Sequence, residues 1–384
     1  MKFNTKTIHA GQQPDPSSGA IMPPVYQTST YVQESPNVHK GYDYARVGNP
    51  TRTALEKSIA GLENAAECAA FASGCAAMDA LLKILRPGDE VISTNDLYGG
   101  TYRLFREVFE PYNITFHFTD LSNPEEFESL LNENTRMVWI ETPTNPLLRL
   151  IDIKKLSERA HEYDSGIMVV VDNTFASPYL QQPLELGADA AVHSTTKYLG
   201  GHSDVIGGAV ATSDEKITEH LRFQAKTSGA IPGPMDSYLT LRGIKTLHLR
   251  MERSQANAEH LADYLADHHK VGEVKFPGFA DHPQHELMKR QMRGPGAMVS
   301  FTLKSDSLDE AQQFMTLTHY FSLAESLGGV ESLISHPATM THGSIPREVR
   351  VKAGLKDSLI RLSVGVEDIE DLKEDLERAL NQLD

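Results

Sequence analysis

The stretch Ser194-Thr-Thr-Lys-Tyr198 follows the mainly apolar residues 188–192 and precedes the glycine-rich turn Gly200-Gly201-His202. This pattern is typical of a buried strand that delivers hydroxyl groups and one lysine to its carboxyl end. Hydroxyl groups beside an amine suit a ligand with a phosphate and an aldehyde, because a lysine amine condenses with a carbonyl to give a Schiff base. A lysine just beyond a strand is more often a solvated surface group, so the rest of the chain has to decide between these interpretations.

From Thr51 onward, short apolar runs alternate with segments of helical pattern. The predicted strands cover residues 68–73, 90–94, 114–118, 137–140, 167–171 and 190–192. Near-continuous apolar strands separated by helices are typical of a parallel sheet that is covered by helices on both faces. Ligands of such sheets bind outside the carboxyl ends of the strands, so the sequence predicts an α/β fold with its site at that edge.

The chain divides into three predicted parts. Residues 1–50 are rich in proline and glycine, which break every candidate helix, yet they contain several tyrosines of the kind that pack on another surface. We therefore expect an arm that contacts a neighbouring subunit. Residues 51–245 form the predicted large domain. Residues 246–384 form the predicted small domain, with strands at 298–303 and 359–364.

Composition and charge exclude several classes of protein. A net charge of -16 argues against nucleic acid as a partner, because a phosphate-binding surface needs concentrated Lys and Arg. The spacing of Cys68 and Cys75 matches neither a disulfide framework nor a metal site, which fits a reducing compartment. The N-terminus lacks the apolar core of a signal peptide, and no apolar run reaches membrane-spanning length. We expect a cytoplasmic protein that binds neither nucleic acid nor membrane.

Polar and aromatic residues follow several of the predicted strands. Ser73, Gly74 and Cys75 open a helix whose backbone N–H groups can seat a phosphate, although an ordinary tight turn is the alternative. Tyr98 follows the next strand, where its ring can stack on a planar cofactor or pack within its own loop. Asn145 places an amide at the same edge, beyond the strand 137–140.

Asp172 follows four apolar residues and is the most informative of these strand-end groups. A carboxylate at the end of a buried strand is costly unless a cation pairs with it, and a protonated pyridine nitrogen is such a cation. A helix cap or a metal ligand is the alternative, but no nearby histidine has partners at metal-ligand spacing, so no metal is predicted. With Ser194, Thr196 and Lys197, these groups predict a site for pyridoxal 5'-phosphate.

The motifs around these residues resemble the Cys/Met-metabolism family of pyridoxal-phosphate-dependent enzymes along essentially the whole chain. The motifs of the first two parts are Tyr44-Ala-Arg46-Val-Gly-Asn-Pro-Thr-Arg52, Phe71-Ala-Ser-Gly74, Tyr98-Gly-Gly, Glu141-Thr-Pro-Thr-Asn-Pro146, Asp172-Asn-Thr-Phe, Ser194-Thr-Thr-Lys197-Tyr and Gly201-His-Ser-Asp. Those of the last part are Leu323-Ala-Glu-Ser-Leu-Gly-Gly329, Met340-Thr-His342 and Ile360-Arg-Leu-Ser-Val364. The resemblance implies a mostly parallel seven-stranded sheet covered by helices, the fold-type I transferase architecture, with a smaller α/β C-terminal domain.

The resemblance also implies roles for the residues around the cofactor. Lys197 would carry it as a Schiff base and later move protons, Asp172 would hold the ring nitrogen, and Tyr98 would stack on the ring. Asn145 would lie near the phenolic oxygen. The remaining cofactor-binding residues would be Ser73, Gly74, Cys75, Ser194 and Thr196, joined by Tyr44 and Arg46 of a neighbouring subunit. The family is usually a homotetramer of two dimers, with active sites shared between subunits.

Four residues are candidates for substrate binding. Arg361 interrupts the apolar alternation of its strand, and a guanidinium suits bidentate binding of a carboxylate, although a solvent-facing strand arginine is the alternative. By the resemblance, Arg361 would hold the α-carboxylate of an amino-acid substrate. Arg103 would meet a distal carboxylate, and Glu325 beside Ser326 would face the reacting side chain.

The activity implied by the resemblance is γ-elimination of cystathionine to cysteine, 2-oxobutyrate and ammonia, with Lys197 moving protons and Tyr98 as a candidate acid or base. Release of hydrogen sulfide would be a side reaction. The alternative is γ-replacement, which joins an O-acylhomoserine to cysteine. Glu325 favours γ-chemistry over β-elimination of cystathionine. Gly100 stands where members that cleave methionine carry cysteine, which disfavours that reaction.

Overall fold

The computed structural model describes residues 1–343 and 345–383, which contain a seven-stranded sheet and a five-stranded sheet. The strands of the large sheet lie side by side in the order β1-β7-β6-β5-β4-β2-β3. They are β1 (Glu67–Phe71), β2 (Glu90–Thr94), β3 (Thr115–Thr119), β4 (Thr135–Glu141), β5 (Met168–Asp172), β6 (Ala190–Ser194) and β7 (Gly208–Thr212). The predicted α/β fold with a mostly parallel seven-stranded sheet is confirmed.

Strand β7 is antiparallel to both of its neighbours and was not among the strands located in the sequence. It consists mostly of small residues and begins at Gly208, so its sequence carries little strand signal of its own. A Cβ atom at Gly208 would lie 2.1 Å from the carbonyl oxygen of Ser73, so only glycine allows β7 to pass the start of the helix after β1.

The helices cover the large sheet and connect it to the small one. They are α1 (Phe3–His9), α2 (Pro50–Glu63), α3 (Gly74–Leu82), α4 (Gly99–Arg103), α5 (Pro124–Leu130), α6 (Ile153–Tyr163), α7 (Ser177–Leu180), α8 (Glu215–Ser228), α9 (Pro234–Ile244), α10 (Leu247–Asp267), α11 (His285–Gln291), α12 (Leu308–Leu317), α13 (Arg347–Ala353) and α14 (Ile369–Asn381). Several begin at side-chain caps that the sequence supplies. Asn49 accepts hydrogen bonds from two N–H groups of the first turn of α2, with Pro50 as the first helical residue. No helix of the described residues is long and apolar enough to cross a membrane.

Alternate residues of the central strands face two separate apolar cores. Trp139 and Val170 point to the core that contains Phe105, whereas Val138 and Val169 point to the core beneath α6. Both faces of β4 and β5 are therefore buried, and polar side chains can reach solvent or a ligand only at the strand ends. This places the functional groups at one edge.

The small sheet has the order β10-β11-β12-β9-β8. Its strands are β8 (Val271–Lys275), β9 (Met298–Leu303), β10 (Ser322–Leu323), β11 (Leu333–Ser335) and β12 (Ile360–Ser363). The sequence predicts β9 and β12, whose residues are all buried, but not β8, β10 or β11, which are partly or wholly exposed. The predicted domain limits at residues 50 and 245 stay predictions.

Residues 1–50 contain one element that the proline argument missed. Helix α1 lies before the first proline, and its buried Phe3 packs edge-on against Tyr179 of the same chain. The expectation that every helix in this part is broken is therefore wrong for α1. The role of the rest of the arm in contacting another subunit stays a prediction.

Candidate active site

A cavity of about 340 Å³ opens at the carboxyl ends of the central strands of the large sheet. Residues of the small sheet and of the loops beside it line its other side. The predicted site residues that line the cavity are Ser73, Gly74, Cys75, Tyr98, Asn145, Asp172, Ser194, Thr196, Lys197, Glu325, Ser326 and Arg361. The fold thus brings into one cavity side chains that lie far apart in the sequence.

One end of the cavity is formed by the turn between β1 and α3. Ser73 begins α3, because its Oγ accepts a hydrogen bond from a backbone N–H of the first turn at 3.0 Å. Gly74 lies so close to the end of β6 that a Cβ atom on residue 74 would approach the Cβ of Ser194 to 2.9 Å. Thr196 Oγ1 accepts from the N–H of Gly207 at 3.0 Å. A helix N-terminus flanked by hydroxyl groups is a recurrent seat for phosphate.

Asp172 is the last residue of β5 and is 8% exposed. Its Oδ1 accepts a hydrogen bond from the backbone N–H of Thr174 at 3.1 Å. Burial raises the pKa of Asp172, and hydrogen bonds from Thr174 and the charge of His193 oppose the shift; within the described residues, no lysine or arginine does so. A carboxylate in this setting fits a ligand that brings its own cation, as a protonated pyridine does.

Lys197 lies in the turn after β6, and its Nζ donates a hydrogen bond to Ser326 Oγ at 2.7 Å. Burial, and after it the charge of Arg361, lower the pKa of Lys197 to about 8, whereas Glu325 opposes the shift. Arg250 stabilises this turn, because its Nη1 donates a hydrogen bond to the carbonyl of Tyr198 at 2.7 Å. An amine with this pKa has a substantial neutral fraction near neutral pH, the form that attacks a carbonyl or accepts a proton.

Arg361 of β12 is 1% exposed, so the solvent-facing alternative considered for it is wrong. Its Nη1 donates to Asn145 Oδ1 at 2.8 Å and its Nη2 to the carbonyl of Ser326 at 3.1 Å. The buried Nε has no hydrogen-bond partner among the described residues. Burial lowers the pKa of Arg361 to about 10, and the charge of Glu325 opposes the shift. A buried guanidinium held by neutral oxygens is suited to a carboxylate ligand.

Tyr98 lies at the mouth of the cavity and caps the start of α4. Burial raises the pKa of its hydroxyl, as do the Cys75 thiol and the carboxylate of Glu325, whereas Arg103 opposes the shift. The hydroxyl therefore keeps its proton at neutral pH and can donate it. Glu325 is itself exposed and lines the same cavity.

Glu141 also lines the cavity, and the sequence reasoning did not single it out. It ends β4 next to Asp172, with which it is paired in the parallel register of β4 and β5. Its Oε2 accepts a hydrogen bond from the N–H of Tyr98 at 3.0 Å. Burial and then the charge of Asp172 raise the pKa of Glu141 well above its usual range. The signal was present, because a carboxylate ends this apolar strand just as Asp172 ends the next one.

Three predicted residues lie outside the cavity lining formed by the described residues: Tyr44, Arg46 and Arg103. The guanidinium of Arg46 lies over the Tyr44 ring, 5.4 Å from its centroid, and donates to the carbonyl of Lys226. Arg103 ends α4 and is exposed. Burial raises the pKa of Cys75, and the charge of Arg103 opposes this shift. The proposed roles of all three stay predictions.

The chain is similar to a known protein family and to individual proteins with three named activities. The family model described as Cys/Met metabolism PLP-dependent enzyme matches residues 4–381. A cystathionine gamma-lyase of Dictyostelium discoideum is 50% identical over 99% of this chain and 98% of its own length. A cystathionine beta-lyase of Coxiella burnetii is 50% identical over 98% of this chain and 97% of its own length. A cystathionine gamma-synthase of Mycobacterium bovis is also 50% identical, over 98% of this chain and 96% of its own length.

A solved structure gives the same picture of the fold. The crystal structure of cystathionine gamma-lyase from Lactobacillus plantarum complexed with L-serine matches with a TM-score of 0.97 and 44% identity. The match covers 100% of this chain and 99% of that one. Three activities thus occur among relatives of equal similarity, so similarity alone does not choose between them.

Proposed function

The chain belongs to the Cys/Met metabolism family of pyridoxal-phosphate-dependent enzymes, and from this premise we propose that it cleaves the Cγ–S bond of cystathionine. The products are cysteine, 2-oxobutyrate and ammonia, with one water consumed. The observation that carries the proposal is the position of the Lys197 amine. It donates a hydrogen bond to Ser326 and lies in one cavity with Arg361, which lowers its pKa, and Glu325, which raises it.

The residues of the large-sheet edge fit the cofactor and are proposed to hold it. Pyridoxal phosphate, once bound, supplies a carbonyl that captures the substrate amine and a protonated ring that accepts electrons from Cα. Asp172 would meet the ring nitrogen, Tyr98 would stack on the ring, and Asn145 would lie near the phenolic oxygen. The turn before α3 and the turn after β6 would bind the phosphate, through Ser73, Gly74, Cys75, Ser194 and Thr196.

The α-carboxylate of the substrate is proposed to bind Arg361. This side chain is buried, and its Nε is a donor without a partner among the described residues. Satisfying a buried donor with a charged acceptor is more favourable than either group unpaired. Binding of the carboxylate to Arg361 would also fix the orientation of Cα relative to Lys197, because Ser326 accepts hydrogen bonds from both Lys197 and Arg361.

Lys197 and Tyr98 are proposed to move the protons. Lys197 Nζ would take the proton from Cα, deliver it to the cofactor carbon that carries the substrate nitrogen and, neutral again, take a proton from Cβ. Its pKa of about 8 permits both removals near neutral pH. The Cγ–S bond then breaks with its electron pair going to sulfur, and the Tyr98 hydroxyl, whose pKa burial raises, gives that sulfur its proton. Cysteine leaves, and water releases 2-oxobutyrate and ammonia from the remaining fragment.

Glu325 and Arg103 are proposed to select the distal half of the substrate. Cystathionine carries a second ammonium and carboxylate beyond its sulfur, so an acidic and a basic side chain at the mouth complement it. Glu325 lines the cavity. The charge of Arg103 opposes the rise that burial causes in the pKa of Tyr98. With the name of the Dictyostelium relative, this pair supports γ-elimination of cystathionine. Thiol-bearing amino acids are expected to release hydrogen sulfide as a side reaction.

The second candidate is γ-replacement, in which cysteine adds to the four-carbon skeleton of an O-acylhomoserine. The observation that favours it is the 50% identity to the Mycobacterium bovis relative named as a gamma-synthase. β-Elimination has the same support from the Coxiella relative, but an acidic residue at the position of Glu325 favours γ-chemistry.

The active site is proposed to be shared between subunits of a homotetramer. Tyr44 and Arg46 lie in the arm and outside the cavity lining formed by the described residues. Tyr44 is 42% exposed, so it is available to a neighbouring copy, where it and Arg46 would complete the phosphate site.

Product analysis tests the proposed reaction. Purified protein loaded with pyridoxal phosphate is given cystathionine alone, and separately an O-acylhomoserine with cysteine. We expect cysteine and 2-oxobutyrate in equal amounts from the first mixture. The proposal is overturned if the second mixture yields cystathionine much faster than the first consumes it. Release of homocysteine and pyruvate from cystathionine would instead identify β-elimination.

A further inference from the structure

We propose that His342 is a positioning residue for the substrate α-carboxylate. Its two ring nitrogens form hydrogen bonds with Asn145 and Thr341, which line the same cavity as Arg361. The motif Met340-Thr-His342 has no role in the reaction described above. The inference rests on the proposed binding of a carboxylate by Arg361. It adds His342 as the residue that positions Asn145, the hydrogen-bond partner of Arg361.

His342 is 2% exposed and touches the cavity only through its neighbours. Its Nε2 lies 2.9 Å from the carbonyl oxygen of Asn145, and its Nδ1 lies 2.7 Å from Thr341 Oγ1. A carbonyl oxygen can only accept, so Nε2 carries the hydrogen. Nδ1 is then an acceptor, and the Thr341 hydroxyl donates to it. We infer this tautomer from these two hydrogen bonds.

The bond to Asn145 reaches Arg361 through one residue. Asn145 follows β4, and its side-chain oxygen accepts from Arg361 Nη1 at 2.8 Å while its backbone carbonyl accepts from His342. The loop that aims the guanidinium is therefore held on both sides, by Arg361 and by the imidazole. Loss of the imidazole leaves a buried carbonyl without this donor, and the loop is free to shift.

The bond to Thr341 orients a residue that lines the cavity. Because the Thr341 hydroxyl donates to His342, only its oxygen lone pairs remain for a ligand. The backbone of Thr341 is held as well, since a Cβ atom at Gly99 would lie 2.3 Å from its carbonyl oxygen. Thr341 is thus pressed between His342 and the first turn of α4, beside Tyr98.

The charge state of the ring agrees with this geometry. Burial, and after it the charge of Arg361, lower the pKa of His342 to about 4, although the carbonyls of Asn145 and Leu97 favour the protonated form. The ring is therefore neutral near pH 7. A neutral ring can accept from Thr341 and donate to Asn145 at once, which a protonated ring cannot do.

The chain offers a matched control in the same loop. His336 is 1% exposed and makes the same two kinds of bond, from Nδ1 to Thr339 Oγ1 at 2.7 Å and from Nε2 to the carbonyl of Asp357 at 2.6 Å. It does not line the cavity described above. Loss of His336 disturbs the packing of the loop without touching Asn145 or Thr341.

The test compares glycine with glycinamide as competitive inhibitors of the holoenzyme, because these probes differ only in the carboxylate. In His342→Ala we expect glycine binding to weaken about tenfold, the effect of losing one or two hydrogen bonds, while glycinamide binding changes less than about twofold. In His336→Ala the ratio of the two inhibition constants should stay that of the wild type. The cofactor should stay bound in both variants, since neither His342 nor His336 lines the cavity. The readout is the ratio of the two inhibition constants and not the absorption band, because Asn145, which His342 holds, is also proposed to lie near the phenolic oxygen of the cofactor.

A second variant keeps the inference testable if His342→Ala does not fold. His342→Asn retains a polar atom near Nδ1 for Thr341 but cannot reach the Asn145 carbonyl, so it should show an intermediate loss of glycine binding. An unchanged ratio in every folded His342 variant overturns the inference. If the wild type itself binds glycinamide as well as glycine, the carboxylate role of Arg361 fails instead, and the two failures are thereby told apart.

Discussion

The two walls of the cavity are built in different ways. The wall on the large sheet consists of residues that directly follow apolar strands, such as Asp172 after β5 and Lys197 after β6. The wall on the small sheet comes from loops and one strand, and it includes Glu325, Thr341 and Arg361. The first wall contains the residues proposed to bind the cofactor, and the second contains those proposed to bind and select the substrate. Relatives with three activities at equal identity fit this division, because one cofactor serves all three reactions.

The largest expected effect comes from the large-sheet wall. Lys197→Ala removes the amine that is proposed to carry the cofactor and move both protons, so turnover of every substrate should fall by about a thousandfold or more. The visible absorption band of the bound cofactor should shift at the same time, which a spectrum of the purified variant measures. Retention of normal turnover would contradict the assignment of Lys197. Lys245, an amine outside the cavity lining, provides the control substitution.

A smaller effect is expected from the small-sheet wall. Arg361→Met should lower kcat/KM for cystathionine about a hundredfold, because charge-assisted hydrogen bonds to the carboxylate are lost. The cofactor band should remain, since Arg361 belongs to the other wall. Arg361→Lys keeps a charge but not the two-pronged geometry and should recover only part of the loss. Loss of the cofactor band in Arg361→Met would show that the two walls are not separate in function.

Glu141 tests how the large-sheet wall positions Tyr98. Glu141→Ala leaves the N–H of Tyr98 without its acceptor, and we expect kcat/KM to fall about tenfold, the usual cost of a buried unsatisfied donor. Glu141→Gln keeps an acceptor oxygen and should stay within about threefold of the wild type, which also fits a carboxyl group whose pKa burial raises. Equal losses in both variants would mean that the charge of Glu141 matters, and not its hydrogen bond.

The smallest expected effect is a shift in pH dependence. Burial and Arg361 lower the pKa of Lys197 to about 8, so its neutral form grows as pH rises through that value. The rate at which cofactor-free protein takes up pyridoxal phosphate should therefore increase with pH, with its midpoint near 8. Removing Arg361 should move the midpoint upward, because a neighbouring cation no longer opposes protonation. Removing Glu325 should move it downward, and a midpoint that does not respond to either variant would contradict the charge coupling.

Much of the large-sheet wall was predictable from the sequence, for a local reason. Each of its polar residues comes directly after a run of apolar residues, and parallel strands present their carboxyl ends at one edge. Asp172, Lys197 and Ser73 were located in this way. Glu141 follows the same rule, because it ends the apolar strand β4, so the sequence alone is enough to predict it as a residue of this wall, although it was not singled out there. Strand β7 was missed because small residues carry little strand preference of their own.

The sequence by itself determined the α/β class of the large sheet, the edge at which the candidate site lies and, through its motifs, the family. Only the tertiary structure decided that Arg361 is buried, that Ser326 joins it to Lys197, and that His342 bonds to Asn145. The physical reason is that strand ends are encoded by local alternation of apolar and polar residues. The contacts of Lys197 with Ser326, and of Asn145 with His342 and Arg361, join residues 129 to 216 positions apart and depend instead on how two separate sheets pack against each other.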